Sequence, residues 1–382
     1  MDNSIYGQQS TLSAPSSALH INIEDQIVKY PDLAFPLLKR WNSKVFKAEV
    51  KSHKYEWTER ESRPTKAKVA SATVAADATS FYVDTSGVFN VDDVLRKPDG
   101  EVVIVTGVSG GTLLTVAAWT GTPETMVLGD TVVRIGVAAR QGADADDMVI
   151  QGNTDLFNYT QIFEDVVHLS GTQRNALIRG DETQSELIER KQKELAEVLQ
   201  NALIMGVRNV NVADKRYTLG GLKYFVDTYA PQNVVNFGGS WAVDATVIGK
   251  FEDAVELIAL NGGAKPTIYM GYKALRKFRM IQDDILKGSR DDKERGIGVV
   301  DTYLSQLGRL DIVQIVDRSN LFDDAIFFVD ESKVGYKAMR NRGWFTEELA
   351  KSGDSYKWQV LGEYTVKVET PKILSYMYNL GL

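Results

Sequence analysis

Along this chain the spacing of hydrophobic and polar positions changes several times, and each change predicts a different kind of element. Residues 1 to about 35 show no period and are rich in Ser, Gln and Asn, which predicts an arm without fixed structure of its own. At 45–50, Phe46, Ala48 and Val50 alternate with Lys47 and Glu49, the period of two of a half-buried strand. Tyr55 and Trp57 resume the alternation on the opposite parity, so a bulge or break is expected between them. Residues 51–68 are half charged with both signs mixed, as in a solvated hairpin that projects from a body or lies on a neighbouring subunit.

From about 72 to 136 the period stays at two but the runs shorten. Strands are expected at 81–83, 101–105, 113–117 and 131–135, separated by the turn signals Pro98-Asp99-Gly100, Ser109-Gly110-Gly111 and Gly121-Thr122-Pro123. Close spacing of short strands predicts a small barrel or sandwich inserted as its own module. The period then becomes helical. Leu187, Ile188, Leu195, Val198, Leu199, Ala202 and Met205 fall on one side of a helical wheel, and Gly206 supplies a stop. A helix over 182–205 would be about 36 Å long at about 1.5 Å per residue, and one apolar stripe on it implies that it lies across a sheet or another helix.

A mixed α/β block follows Gly220-Gly221. Asp244 is a good N-cap for a helix with the stripe Val247, Ile248, Phe251, Val255 and Ile258, ending at Asn261-Gly262-Gly263. Pro266 leads a buried strand at 267–270, a basic helix runs to about 284, and the charge-dense stretch 282–295 reads as an exposed loop. Strands resume at 310–316 and 325–329, and the tail at 356–368 and 372–380 is strand-rich. No internal repeat is present.

Composition narrows what this architecture does. With no cysteine, neither a disulfide nor a thiolate metal site is available, and no apolar run approaches the roughly 18 residues of a membrane span. The first residues carry no secretory pattern, so synthesis in the cytoplasm is expected and the Asn158-Tyr159-Thr160 sequon is expected to carry no glycan. A formal net charge of −7, with small basic clusters such as Arg276, Lys277 and Arg279, excludes sequence-specific nucleic-acid binding and leaves only weak, non-specific contact with DNA.

Catalytic chemistry is hard to place. Gly107-Val108-Ser109-Gly110-Gly111 matches the nucleophile-elbow pattern, but a strand and not a helix follows the serine, so a hairpin turn is expected. The three histidines, His20, His53 and His168, lie in the arm, the charged hairpin and beside an apolar strand, and build no triad. Asp283, Asp284, Asp291, Asp292 and Glu294 form an acidic cluster that Lys287, Arg290, Lys293 and Arg295 neutralise, so no metal or other cofactor is expected. What remains is interface chemistry. The mixed-sign residues Glu59, Arg60, Glu61 and Arg63 are the candidate intersubunit contacts, each pair worth about 0–1 kcal/mol but repeated many times in a closed lattice.

Three stretches then resemble a known family. They are Asn158-Tyr-Thr-Gln-Ile-Phe163 with Ser170-Gly-Thr-Gln-Arg174, Asp301-Thr-Tyr-Leu-Ser-Gln-Leu-Gly308 leading into 310–316, and Glu348-Leu-Ala-Lys-Ser-Gly-Asp354 with the strand from Trp358 to Pro371. In order and local pattern, over about 45–382, they resemble tailed-bacteriophage major capsid proteins of the Hong Kong 97-type fold. That resemblance implies an α+β class with six parts. These are an N-terminal arm at 1–44, an extended loop at 45–71 and 137–157, a small all-β insertion at 72–136, a peripheral domain at 158–234 with a spine helix at 182–206, an axial α/β domain at 235–335, and C-terminal strands of the peripheral domain at 336–382. It implies a shell of hexamers and pentamers, a portal and scaffolding protein as partners, a cement protein as a possible further one, packaged DNA, no membrane, and residence in the virion. In the family's archetype a scaffolding segment precedes the capsid domain; this chain is too short at its start for one, so a separate scaffold or a cleaved precursor is expected. Positions for the family's Lys–Asn cross-link are not matched. Two other readings remain open: an encapsulin-like compartment shell, and a virion-surface carbohydrate-binding or decoration protein that would use exposed aromatics such as Trp119 and Tyr82.

Overall fold

A computed structural model describes residues 36–41, 45–60, 63–123, 125–139, 141, 153–172, 184–241, 245–286, 302–315, 321–351 and 353–381. By backbone contacts the chain divides into two units, one of residues 56–156 and one of residues 1–55 with 157–382. Strands β1 (Lys54–Arg60) and β8 (Asn153–Tyr159), paired with each other, carry the chain from one unit to the other and back.

All regular structure described within 56–156 is β. Strands β2 (Lys66–Lys68), β3 (Ser80–Tyr82), β4 (Asp93–Arg96), β5 (Val102–Ser109), β6 (Leu113–Thr120) and β7 (Thr131–Val137) make one sheet in the order β2-β7-β4-β5-β6-β3. All its pairings are antiparallel. Alternation decides which face is covered: Leu95, Val103, Val105, Leu114, Val116 and Val132 are buried and, with Phe81, Phe89 and Met126, form the core. The expected strands are all present. Ser109 ends β5 and β6 starts at Leu113, so the nucleophile-elbow match is a hairpin turn, with Gly110 and Gly111 both at positive φ.

In the larger unit, β9 (Gln161–Ser170), β15 (Val334–Ala338), β16 (Phe345–Glu348) and the long β17 (Ser355–Val368) form an antiparallel sheet, with β17 central. Helix α2 (Gln184–Met205) lies against it, Leu187 and Ile188 packing on Val167, Leu169 and Trp358. A second sheet is mixed. Its order is β10 (Val234–Asn236), β18 (Ser375–Tyr378), β14 (Ala325–Val329), β11 (Thr267–Gly271), β13 (Gly308–Ile315) and β12 (Thr302–Ser305), with β10–β18 and β11–β13 parallel. Helices α4 (Ala245–Leu260) and α5 (Tyr272–Leu286) cover one face of it, and Phe251, Val255, Ile258, Leu275 and Phe278 meet Ile268, Met270, Ile326 and Phe328 there. Every residue of β11 and of β14 is buried, as their unbroken apolar runs require.

Four expectations need correction. The stretch 45–50 is not a strand: Val45 and Phe46 are buried in succession, and only Val50 bridges, to Met339. Lysines take its carbonyls instead, with Lys367 Nζ donating to Val45 O at 2.9 Å and Lys337 Nζ to Ala48 O at 3.3 Å. The stripe of α2 is rotated. Leu195, Leu199, Gln200, Leu203 and Ile204 are the buried set, whereas Val198 is exposed. The cause is a second packing partner near the helix end, α3 (Leu222–Tyr229), whose leading Gly221 donates its N–H to Gly206 O at 2.8 Å. A Cβ on Gly221 would lie 2.7 Å from Ala202 O, so only glycine admits this approach. In α4, Phe251, Val255 and Ile258 are buried but Ile248 is exposed; the side chain of Val247, and Asp244, lie outside the described residues. Finally, α5 continues to Leu286 where a loop was expected from 282; residues 287–295 lie outside the described residues.

Candidate assembly surfaces

Surfaces that meet other molecules must be held by what lies beneath them, and in the larger unit three polar clusters do this. Asn158 is fully buried. Its Nδ2 donates to Gly220 O and Val366 O, both at 2.9 Å, and its Oδ1 accepts from Gly220 N at 2.8 Å. One amide thus ties the end of β8 to the start of α3 and to β17, and a buried side chain so occupied offers no site for a glycan. Nearby, Thr160 Oγ1 donates to Glu363 Oε1 at 2.5 Å and Arg342 pairs with Glu363 Oε2 at 2.7 Å. The third cluster latches the short helix α1 (Pro36–Arg40) onto the mixed sheet. Trp41 Nε1 donates to the Tyr269 hydroxyl at 3.2 Å, Tyr269 donates to Glu331 Oε1 at 2.5 Å, and Arg40 Nε donates to the same oxygen at 2.8 Å.

These environments suppress tyrosine ionisation. Burial, then the hydrogen bond to Glu331, pushes the Tyr269 hydroxyl well above the usual phenol range. Burial and Glu252 do the same to Tyr303, whose hydroxyl donates to that carboxylate at 2.5 Å. Tyr364 is pushed up to about 12 by burial, against the opposing effect of the Trp344 N–H that its oxygen accepts. None of these hydroxyls is poised to lose its proton near neutrality, which suits structural use and not acid–base work.

The sequence-derived contact residues separate in space. The exposed Arg60, at the end of β1, donates from Nε to Asn153 Oδ1 of β8 at 3.0 Å. Glu59, on the same strand, accepts from Trp57 Nε1 at 2.9 Å. Arg63 turns inward within residues 56–156: its Nη2 reaches Asp93 Oδ2 at 2.6 Å and its Nε donates to Val88 O at 2.8 Å. Asp93 is 1% exposed and is approached by Arg134 at 3.7 Å as well. Glu61 lies outside the described residues. Sequence reading had passed over a buried pair in the same unit, Lys97 with Glu101 at 2.7 Å. The turn Pro98-Asp99-Gly100 between them was the available signal, since residues flanking a tight hairpin turn face each other.

Among the described residues no group of three or more His, Cys, Asp or Glu is arranged to hold a metal ion, and no helix is long and apolar enough to cross a membrane. The acidic cluster from Asp283 to Glu294 falls where side chains lie outside the described residues.

Two solved structures share this fold along nearly the whole chain. One from Mycobacterium phage Bobi has a TM-score of 0.53 and 8% identity, covering 95% of this chain and 96% of its own. The capsid of a native GTA particle has a TM-score of 0.51 and 9% identity, covering 97% and 98%. An encapsulin complex from Synechococcus elongatus has a TM-score of 0.40 and 12% identity, covering 60% and 78%. No curated protein sequence matches the chain. The architecture, mixed α/β and mostly sheet, is the fold of the phage and GTA structures. The SU10 major capsid protein family matches residues 4–380, and the chain belongs to it. It is a structural subunit of a bacteriophage capsid, resident in the virion, and builds its shell by assembly with copies of itself.

Proposed function

We propose that the subunit is divided as Hong Kong 97-type capsid proteins are. Residues 158–234, with the spine helix at 182–206, and 336–382 form the peripheral domain, and 235–335 form the axial domain that converges at the five- and six-fold axes. Residues 45–71 and 137–157 form the extended loop that overlaps an adjacent subunit, 72–136 are an all-β insertion carried on that loop, and 1–44 are an arm over neighbouring subunits. The observation that carries this reading is the family match from residue 4 to 380. The separate compactness of residues 56–156 supports it, because a module on an extended loop must fold on its own contacts.

In this reading Glu59, Arg60 and Glu61 contribute contacts between subunits, and Arg63 contributes through the framework it shares with Asp93. A portal and a scaffolding protein take part in assembly, a cement protein is a further partner, and packaged DNA is touched weakly and without sequence preference. The chain performs no catalysis. The test is cryo-electron microscopy of particles from lysate, or of purified subunits mixed with their scaffolding partner. Closed icosahedral shells of hexamers and pentamers are expected, with 72–136 as distinct density on the loop; a chain that stays monomeric with its scaffold contradicts the reading.

A further inference from the structure

Exposed apolar side chains are concentrated in the β unit. Of the nineteen large apolar side chains exposed among the described residues, eight fall between Tyr82 and Val137. An antiparallel sheet with one face on its own core normally turns polar residues to the other. Here Val133 of β7 points outward opposite Arg96 at 38% exposure, and Ile135, the extra residue of a bulge in that strand, is left 55% exposed. The register carries this apolar surface across the sheet, with Val94 opposite Ile104 and Ile104 opposite Ala117. A second row runs from Val133 through Arg96 to Val102. At its end β6 bulges: Val102 faces Thr120 and Val103 faces Ala118, so Trp119 is the extra residue and is left 64% exposed. Bulges re-aim side chains in this way, and a tryptophan held out on a rigid sheet is a typical anchor of a protein interface.

Charge indicates the occupant. Exposed Lys66, Lys68 and Arg96 point outward from the same sheet, Lys66 and Arg96 both paired with Val133. Yet residues 56–156 as a whole carry eight basic and fifteen acidic residues, while the other 281 residues carry thirty-six of each. The entire formal charge of −7 therefore belongs to this unit. Among the described residues the exposed Asp77, Asp84 and Asp99 lie at turns and bends between strands. A cation-edged apolar face and acid-rich turns on one unit fit each other between copies, and fit poorly face to face. Such a heterologous contact closes only in a ring or shell.

We propose that this sheet face is an interface with a second copy of the chain, receiving the acidic turns of residues 56–156 of a neighbouring subunit; the inference rests on the reading of the chain as a shell subunit. The test uses the full chain under conditions in which the wild type forms shells. Trp119→Ser, Ile135→Lys and the milder Ile135→Thr are compared with Val212→Lys, a substitution at a 79%-exposed site in the larger unit. Thermal unfolding of unassembled subunits checks the fold. Shell yield by sedimentation and electron microscopy should fall about tenfold or more for Trp119→Ser and Ile135→Lys. The yield should fall less for Ile135→Thr and stay unchanged for Val212→Lys. Folded face variants that assemble like the wild type overturn the proposal. So does binding of a polysaccharide or a foreign protein to finished shells that Trp119→Ser abolishes, since the face would then be open in the shell. Wild-type subunits that form no shell at all would refute the shell reading itself, a distinguishable failure.

Discussion

Residues 56–156 and the rest of the chain stabilise buried polar groups by different means. The β unit buries full charges. Lys97 and Glu101 pair at 1% and 3% exposure, and Asp93 sits at 1% between Arg63 and Arg134. The larger unit relies more on neutral donors, with tyrosine hydroxyls on Glu331, Glu252 and Asp227 and the Asn158 amide on backbone, although Lys367 with Glu369 and Arg342 with buried Glu363 are charged exceptions. The difference follows from size. Two layers of helix and sheet fix the large unit by packing, whereas the helix-free six-stranded sheet of the β unit, with shifts of register in two of its strand pairs, needs something to set that register. Lys97 and Glu101 flank the β4–β5 turn, and Lys97 N also donates to Glu101 O at 2.8 Å, so the pair clamps that hairpin. A buried ion pair adds little net stability but penalises misregistered alternatives.

The largest effect that could break this comparison is Glu101→Ala. It removes the carboxylate paired with a buried ammonium and should cost about 3–5 kcal/mol. Hydrogen exchange should rise throughout 56–156 and leave the larger unit unchanged. The double replacement Lys97→Met with Glu101→Leu should recover that stability to within about 1 kcal/mol. A loss below 1 kcal/mol for Glu101→Ala alone would show that the pair does no clamping. Next comes Asn158→Ala, which removes three buried hydrogen bonds, those to Gly220 O, Val366 O and Gly220 N. At about 1 kcal/mol or more each, roughly 3 kcal/mol should be lost, and here the larger unit should open first.

Alkaline pH should separate the units without any substitution. The five tyrosines whose ionisation is pushed up, 269, 303, 336, 364 and 376, all lie in the larger unit. A raised folded-state value means that the stabilisation is complete below the unfolded value near 10 and is lost as pH rises through the folded one. For Tyr364 the window runs from pH 10 to about 12. Urea unfolding at increasing pH should therefore weaken the larger unit across that window, and Tyr364→Phe should flatten part of the slope. The smallest effect expected is that of Arg60→Ala, whose partner Asn153 is also at the surface; folding stability should change by less than about 0.5 kcal/mol. A larger loss would mean that the exposed hairpin resembles the buried pairs more than its exposure indicates.

Much of the framework was legible because local pattern and final burial agreed. The strands of the β unit, the all-buried β11 and β14, and the long helix followed from periods of two and 3.6 with turn residues at their ends. Where one residue serves two partners, pattern failed. Gln200 reads as a polar surface position yet is fully buried, while Val198 reads as core and is exposed, because α2 packs on both a sheet and α3. The stretch 45–50 alternates like a strand, but lysines from β15 and β17, some three hundred residues away, capture its carbonyls. Of the candidate contact residues, Arg63 looked like its neighbours in a charged run. Only the distant Asp93 distinguishes it, and no local signal records that pairing.

Assembly of this chain into a shell can be seen directly in its particles. Cryo-electron microscopy of the full-length protein from infected cells, or assembled with its scaffold, should yield closed icosahedral particles. Their subunit density should accommodate both units, with the Trp119 face of each β unit against a neighbouring copy. Particles built from some other chain, with this protein present only as a monomer or bound on the outside, would contradict the account.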